Sequence, residues 1–174
     1  MKGEKMEVKE VIDNKDNKEF VLKAVAENGK FLDLVSPELQ NDKEVVMTSL
    51  KQDAESLEFA STTLKDDKEV IMKGVKGAPW TVCYASERLR ADREVIFESC
   101  KNYGQALYFA SEELRDDREV VKAAVENKGI IIKYASGRLR KDRELALIAV
   151  KQNKQAYHFI APELQQDEEI KALK

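Results

Sequence analysis

An aspartate or asparagine recurs along this chain every 25 residues, at Asn17, Asp42, Asp67, Asp92, Asp117, Asp142 and Asp167, and a glutamate follows each two positions later. No insertion or deletion interrupts the interval. Equivalent residues therefore fall into columns, numbered here 1 to 25 from the Asp position. A unit this short cannot bury its own apolar face, so its neighbours must stack on it and share one continuous core.

The unit from Asp117, DREVVKAAVENKGIIIKYASGRLRK, gives the local reading. Columns 4, 5, 8 and 9 are apolar or small, as in Val120, Val121, Ala124 and Val125. That spacing puts them on one face of an amphipathic helix, helix A. The column 1 aspartate is suited to accept from the free amides of its first turn, and the glutamate in that turn favours the positive end of the dipole. Glycine at column 13 in three units (Gly29, Gly104, Gly129) suggests a left-handed stop. A short helix B follows, with columns 16, 18 and 19 as its expected buried side. Column 18 is usually aromatic: Phe59, Tyr84, Phe109, Tyr134 and Phe159. Serine at column 20 (Ser36, Ser61, Ser86, Ser111, Ser136) reads as the cap of one further turn, and Pro37 suits its first position. Leucine at column 23 closes that turn.

The expected fold class is all-α: a tandem-repeat α-solenoid, or superhelix, of six 25-residue units of helix, short helix and turn, with terminal caps. At about 10 Å per packed layer the six would span roughly 60 Å. Residues 1–16 read as an N-terminal cap, with Met6, Val8, Val11 and Ile12 as its inner face. Residues 17–166 form the array. Residues 167–174 start a seventh unit or form a C-terminal cap, with Ile170 and Leu173 covering the sixth.

Of 174 residues, 43% are hydrophobic, enough for a continuous core, and 36% are charged. No apolar run approaches the roughly 20 residues of a membrane helix, and the charged start MKGEKMEVKE lacks a secretory signal, so the default location is cytoplasmic, with no membrane partner. The two cysteines, Cys83 and Cys100, stand at non-equivalent columns and read as isolated thiols. A net charge of −3 argues against a dedicated nucleic-acid binder.

The strings DREV, YAS and LR in the unit from Asp117, with DREVIFESCKNYGQALYFASEELR from Asp92 and DKEVVMTSLKQDAESLEFASTTLK from Asp42, resemble the tandem units of domain of unknown function 4116. The resemblance covers about residues 17 to 170. It implies a helical repeat protein with no assigned activity and no catalytic residues to carry over. The unit from Asp67 departs from the pattern at Gly74 and at Gly77-Ala78-Pro79-Trp80.

Catalysis is not expected. His158 is the single histidine, the unit holding it has Ala161 where the others have serine, and no phosphate loop or zinc spacing occurs, so no cofactor is called for. The expected function is binding of a protein or peptide partner through one face of the scaffold. The candidate contacts are Trp80 at column 14, Phe97 at column 6, Tyr108 at column 17 and the arginines Arg90, Arg93, Arg115, Arg118, Arg140 and Arg143. All eight arginines, Arg88 and Arg138 included, lie between positions 88 and 143 and occupy columns 2, 22 and 24. Stacking aligns them into a cationic stripe. That stripe supports the alternative of an anionic or phosphorylated ligand, nucleic acid included. Against both stands pairing with the recurring Asp and Glu of neighbouring units, and a third possibility is a purely structural spacer.

Overall fold

The computed structural model describes residues 6–174. The chain is an all-α tandem-repeat solenoid in which each of six repeats is an α-helix, a short 3-10 helix and a turn. Its contacts divide it into two compact units, Met1–Ser86 and Glu87–Lys174, described separately. The first five residues of the expected N-terminal cap lie outside the described residues.

In the N-terminal unit, helix A of the first three repeats is Lys18–Glu27, Lys43–Gln52 and Lys68–Gly77. Asn17 accepts from the Phe20 amide at 3.1 Å, and Asp42 accepts from the Glu44 and Val45 amides at 3.0 and 3.2 Å. Helix A thus starts at the expected column. Columns 4, 5, 8 and 9 are interior as expected, as in Val45, Val46, Ser49 and Leu50, and only Phe20, at column 4 of the first repeat, is half-buried. Before the array, a short helix Val8–Asp13 buries only Val11; Val8 and Ile12 are exposed, so the inner face of this cap is narrower than its apolar residues suggested.

In the C-terminal unit, helix A is Arg93–Asn102, Arg118–Asn127 and Arg143–Gln152, with the same buried columns. The array is followed by Glu168–Ala172, which buries Ile170 and leaves Leu173 half-buried.

Helix B differs from expectation in kind and in face. It is a 3-10 helix in every repeat, as in Gly29–Leu34, Ala54–Phe59 and Gly129–Tyr134. With three residues per turn, side chains three apart eclipse, so columns 13, 16 and 19 share an edge. Columns 15, 16 and 19 are the buried ones, as in Ile131, Ile132 and Ala135. The column 18 side chains (Leu34, Phe59, Tyr84, Phe109, Tyr134 and Phe159) are only half-buried, so this row forms surface as much as core.

The column 13 glycines are not left-handed stops, because no glycine among the described residues has positive φ. They permit close approach instead. A Cβ on Gly29 would stand 2.7 Å from the Ser49 carbonyl oxygen of the next repeat, and one on Gly104 would stand 2.5 Å from that of Ala124. The next repeat then satisfies the glycine amide with a side chain at column 11: Gly29 donates to Gln52 Oε1 at 2.6 Å and Gly104 to Asn127 Oδ1 at 2.8 Å. Where column 13 is Ala54, column 11 of the next repeat is Gly77, and a Cβ there would fall 2.7 Å from that of Ala54.

A backbone ladder joins successive repeats. The column 20 amide donates to the column 24 carbonyl of the preceding repeat, as in Ser61 to Gln40 at 3.0 Å and Ser136 to Arg115 at 2.9 Å. Ser61, Ser111 and Ser136 also cap the following turn by accepting from the amide three residues on. Ser36 sits at the equivalent place but makes no side-chain cap bond.

Candidate binding surface

The three basic columns have different surroundings, so the arginines do not act as one stripe. Column 2 sits in the first turn of helix A, where its side chain reaches the aspartate cap of the next repeat. Arg118 Nε lies 2.9 Å from Asp142 and its Nη2 2.5 Å from Glu144; Arg143 reaches Asp167 and Glu169, each at 2.8 Å; Arg93 reaches Asp117 at 2.7 Å. In the N-terminal unit Lys18 and Lys43 make the same pairs. Partial burial pushes the Asp117 and Asp67 carboxyls up, but the Arg93 and Lys43 charges and the amides each aspartate caps reverse this, leaving both below the usual carboxylate range. Column 2 is thus occupied with internal pairing.

Column 22 is also paired where it is described. Arg138 Nε lies 3.0 Å from Asp116 Oδ1, and its Nη2 donates to the Asp116 carbonyl oxygen at 2.7 Å. Ser136 and Arg138 together hold the Asp116 carboxyl below its ordinary range.

Column 24 differs. At Gln40, Lys65, Arg115 and Gln165 the side chain turns back onto helix B of its own repeat and donates to a carbonyl near that helix's end. Gln40 donates to Leu32 O at 3.0 Å, Lys65 to Glu58 O at 2.6 Å, Arg115 to Tyr108 O at 2.8 Å and Gln165 to Tyr157 O at 3.0 Å. Among the described residues Arg90, Arg115 and Arg140 form no ion pair, and the Nε of each is buried without a hydrogen-bond partner.

Beside these arginines the 3-10 helices Gly104–Tyr108 and Gly129–Tyr134 present aromatic side chains. Tyr108 is 53% exposed, the most exposed large apolar side chain among the described residues. Its ring packs edge-on against Phe109 and Tyr134, each at 5.2 Å between centroids. Lys133 Nζ stands 4.9 Å from the Tyr134 ring centre. A groove of about 320 Å³ opens between the two helices, lined by Tyr103, Tyr108, Tyr134, Ile130, Lys128 and Lys133 among others. A second hollow of about 310 Å³ is lined by Glu112, Arg115, Tyr134, Ala135 and Ser136. The exposed aromatics, apolar floor and cationic rim all lie in the C-terminal unit.

A family model for a domain of unknown function (DUF4116) matches residues 17–65, 67–115 and 117–165, each match spanning two successive repeats. The chain belongs to this family. No curated protein and no solved structure matches it. In this DUF4116 chain no group of three or more His, Cys, Asp and Glu among the described residues is placed to hold a metal ion, and no helix is long and apolar enough to cross a membrane. Neither cysteine is in a disulfide, and burial pushes the Cys100 thiol up to about 12.

Of the candidate contacts in this DUF4116 array, Tyr108 lines the groove and Arg115 the second hollow, the two joined by the Arg115 bond to Tyr108 O, with Arg140 one repeat on at the same column. Phe97 lies apart, on helix A, with Arg93 and Lys101 over its ring at 5.6 and 5.9 Å. Arg93, Arg118 and Arg143 are in the ion-pair ladder. Trp80 belongs to the N-terminal unit and is 46% exposed; Pro79 begins its 3-10 helix without displacing it from register, so the indole is not folded inward. Its column, 14, is the one that places Gln105 and Ile130 in the groove lining. Tyr134, Lys133 and Lys128 were not singled out from the sequence. Tyr134 carried a misleading signal, since an invariably large column 18 reads as core under a 3.6-residue period.

Proposed function

We propose that this chain is a non-catalytic cytoplasmic scaffold whose C-terminal unit binds an extended segment of a protein or peptide partner laid across its successive 3-10 helices, over the groove between them. The observation that carries the reading is the edge-on cluster of Tyr108 and Tyr134 over an open groove, with Tyr108 the most exposed large apolar side chain among the described residues. Exposed rigid aromatics on a concave surface are the usual anchors of a binding site. Lys128, Lys133 and Arg115 around them favour a partner carrying carboxylates. Phe97 and Trp80 are secondary contacts in this reading.

A peptide-display selection on the intact chain tests it. Enriched peptides should lose binding to Tyr108→Ala combined with Tyr134→Ala while retaining it for Phe97→Ala. Selection of nothing, or of peptides indifferent to both tyrosines, removes the groove as the site. A phosphorylated or other anionic ligand is the second reading, favoured by the unpaired column 24 arginines. It is weakened by the carboxylates that already match columns 2 and 22.

A further inference from the structure

We infer that Arg90, Arg115 and Arg140 form a reading ladder for carboxylates spaced three residues apart along the extended peptide bound by the C-terminal unit. This deepens the groove reading above and rests on it.

The structural task of column 24 is a hydrogen bond from its side chain to a carbonyl at the end of helix B, and a neutral glutamine performs it in two repeats, through Gln40 and Gln165. Lys65 does the same in the N-terminal unit, where burial pushes its ammonium below the ordinary lysine value. The fold therefore requires a donor at column 24, not a charge. In three successive repeats of the array it nonetheless carries arginine, which stays protonated at any physiological pH.

Those charges have no internal counterpart. Column 2 and column 22 cations of the same unit meet Asp142, Asp167 and Asp116, whereas Arg90, Arg115 and Arg140 meet no carboxylate among the described residues. The Nε of each is buried without a partner, so a ligand is met by the outer guanidinium nitrogens alone. Arg115 is fixed through Tyr108 O, which joins it to the aromatic groove, and it borders the second hollow. Glu112 also lines that hollow and would repel a carboxylate entering from its side, which restricts approach to the Tyr134 and Ser136 side.

Repeats packed at helix-to-helix distance advance by about 10 Å, and an extended chain advances by about 3.3 Å per residue, so every third residue of a peptide running along the repeats meets the next arginine. A guanidinium binds a carboxylate through two parallel N–H donors, which gives such a ladder geometric as well as charge selectivity. The exposed column 3 glutamates and the aromatic floor disfavour a uniform polyanion and favour a peptide that alternates acidic with apolar residues.

The test uses fluorescein-labelled synthetic peptides of one composition on the intact chain: one with glutamate at every third position, the other with the same glutamates in one block, both with tyrosine and leucine between. Fluorescence anisotropy should give at least about a tenfold preference for the spaced peptide, the loss expected when charge-assisted pairs are misaligned. Arg90→Gln with Arg115→Gln and Arg140→Gln, which installs the residue native to positions 40 and 165, should keep the circular dichroism spectrum and abolish the preference. Equal affinity for both peptides, or a preference that survives the triple substitution, overturns the ladder while leaving the groove reading intact. Loss of all binding on Tyr108→Ala together with persistence in the triple variant separates the two in the same way. Failure of the native chain to bind either peptide removes both, and tighter arginine-dependent binding of inorganic polyphosphate than of the spaced peptide assigns the arginines to phosphate instead.

Discussion

The two units solve the same stacking problem with different side chains. In the N-terminal unit the cation facing the next repeat's aspartate cap is lysine, at Lys18 and Lys43; in the C-terminal unit it is arginine, at Arg93, Arg118 and Arg143. Both reach Asp and Glu of the following repeat at similar distances, so at column 2 the exchange leaves the pairing intact. Column 24 follows no such exchange: Gln40 and Lys65 stand there in the N-terminal unit, and Arg90, Arg115 and Arg140 followed by Gln165 in the C-terminal unit, so the charge is concentrated in the latter. The interior differs as well. Ser49 at column 8 and Ser56 at column 15 satisfy each other at 2.8 Å, whereas Ser99 faces Ala106 and its buried hydroxyl has no partner. An identical column pattern therefore tolerates a well-matched and a poorly matched version of one contact, and the mismatches fall on the side that carries the groove.

The largest effect should come from the shared core. Leu57→Ala and Leu107→Ala each remove a fully buried column 16 side chain and should cost roughly 2–5 kcal/mol by urea denaturation. Trp80, the single tryptophan, reports on the N-terminal unit by fluorescence, while circular dichroism reports on the whole chain. If the units melt separately, Leu107→Ala will leave the tryptophan transition almost unmoved; coincident shifts of both probes will show one cooperative array.

Close approach at column 13 comes next. Gly104→Ala presses a methyl against the Ala124 carbonyl and should cost about 1–3 kcal/mol. Gly77→Ala should cost less in an Ala54→Gly background than alone, because the clash is between those two Cβ positions. Strict additivity in that double-mutant cycle would reject the size-matching argument.

The interior serines offer a gain. Ser99→Ala removes an unsatisfied buried hydroxyl and should raise stability by about 1 kcal/mol, while Ser49→Ala, which deletes a hydroxyl bonded to both Val46 O and Ser56, should lower it by a similar amount. Like signs for the two would contradict the comparison.

The ion-pair ladder gives the smallest effect, and pH separates its two versions. Lys18 and Lys43 are raised above their ordinary value by hydrogen bonds to Asp42 and Asp67 and then to the column 3 glutamates. Their contribution is complete below the unfolded lysine pKa near 10.4 and is lost as pH rises through the raised folded value. Arginine keeps its charge there. The tryptophan-detected denaturation midpoint should hold up to a pH of about 10.4 and fall above it, and Lys18→Arg with Lys43→Arg should flatten that decline. On the acid side both units should weaken. Asp67, Asp117 and Asp167 are held below the ordinary carboxylate range, so stability they contribute is present above a pH of about 4 and lost as pH falls through their folded values.

The sequence alone determined the repeat, its register, the start of helix A and the buried columns 4, 5, 8 and 9, because a gapless period and an α-helical pattern are local properties that survive any arrangement of neighbours. It misassigned column 18 to the core, since the choice between 3.6 and 3.0 residues per turn depends on what helix B packs against, and it read the column 13 glycines as turn residues when their neighbours lie about one repeat away. It named all eight arginines but had no means of sorting them. Whether a guanidinium meets a carboxylate, a carbonyl or solvent is decided by distances between residues some 24 positions apart, and only the folded stack brings those residues together.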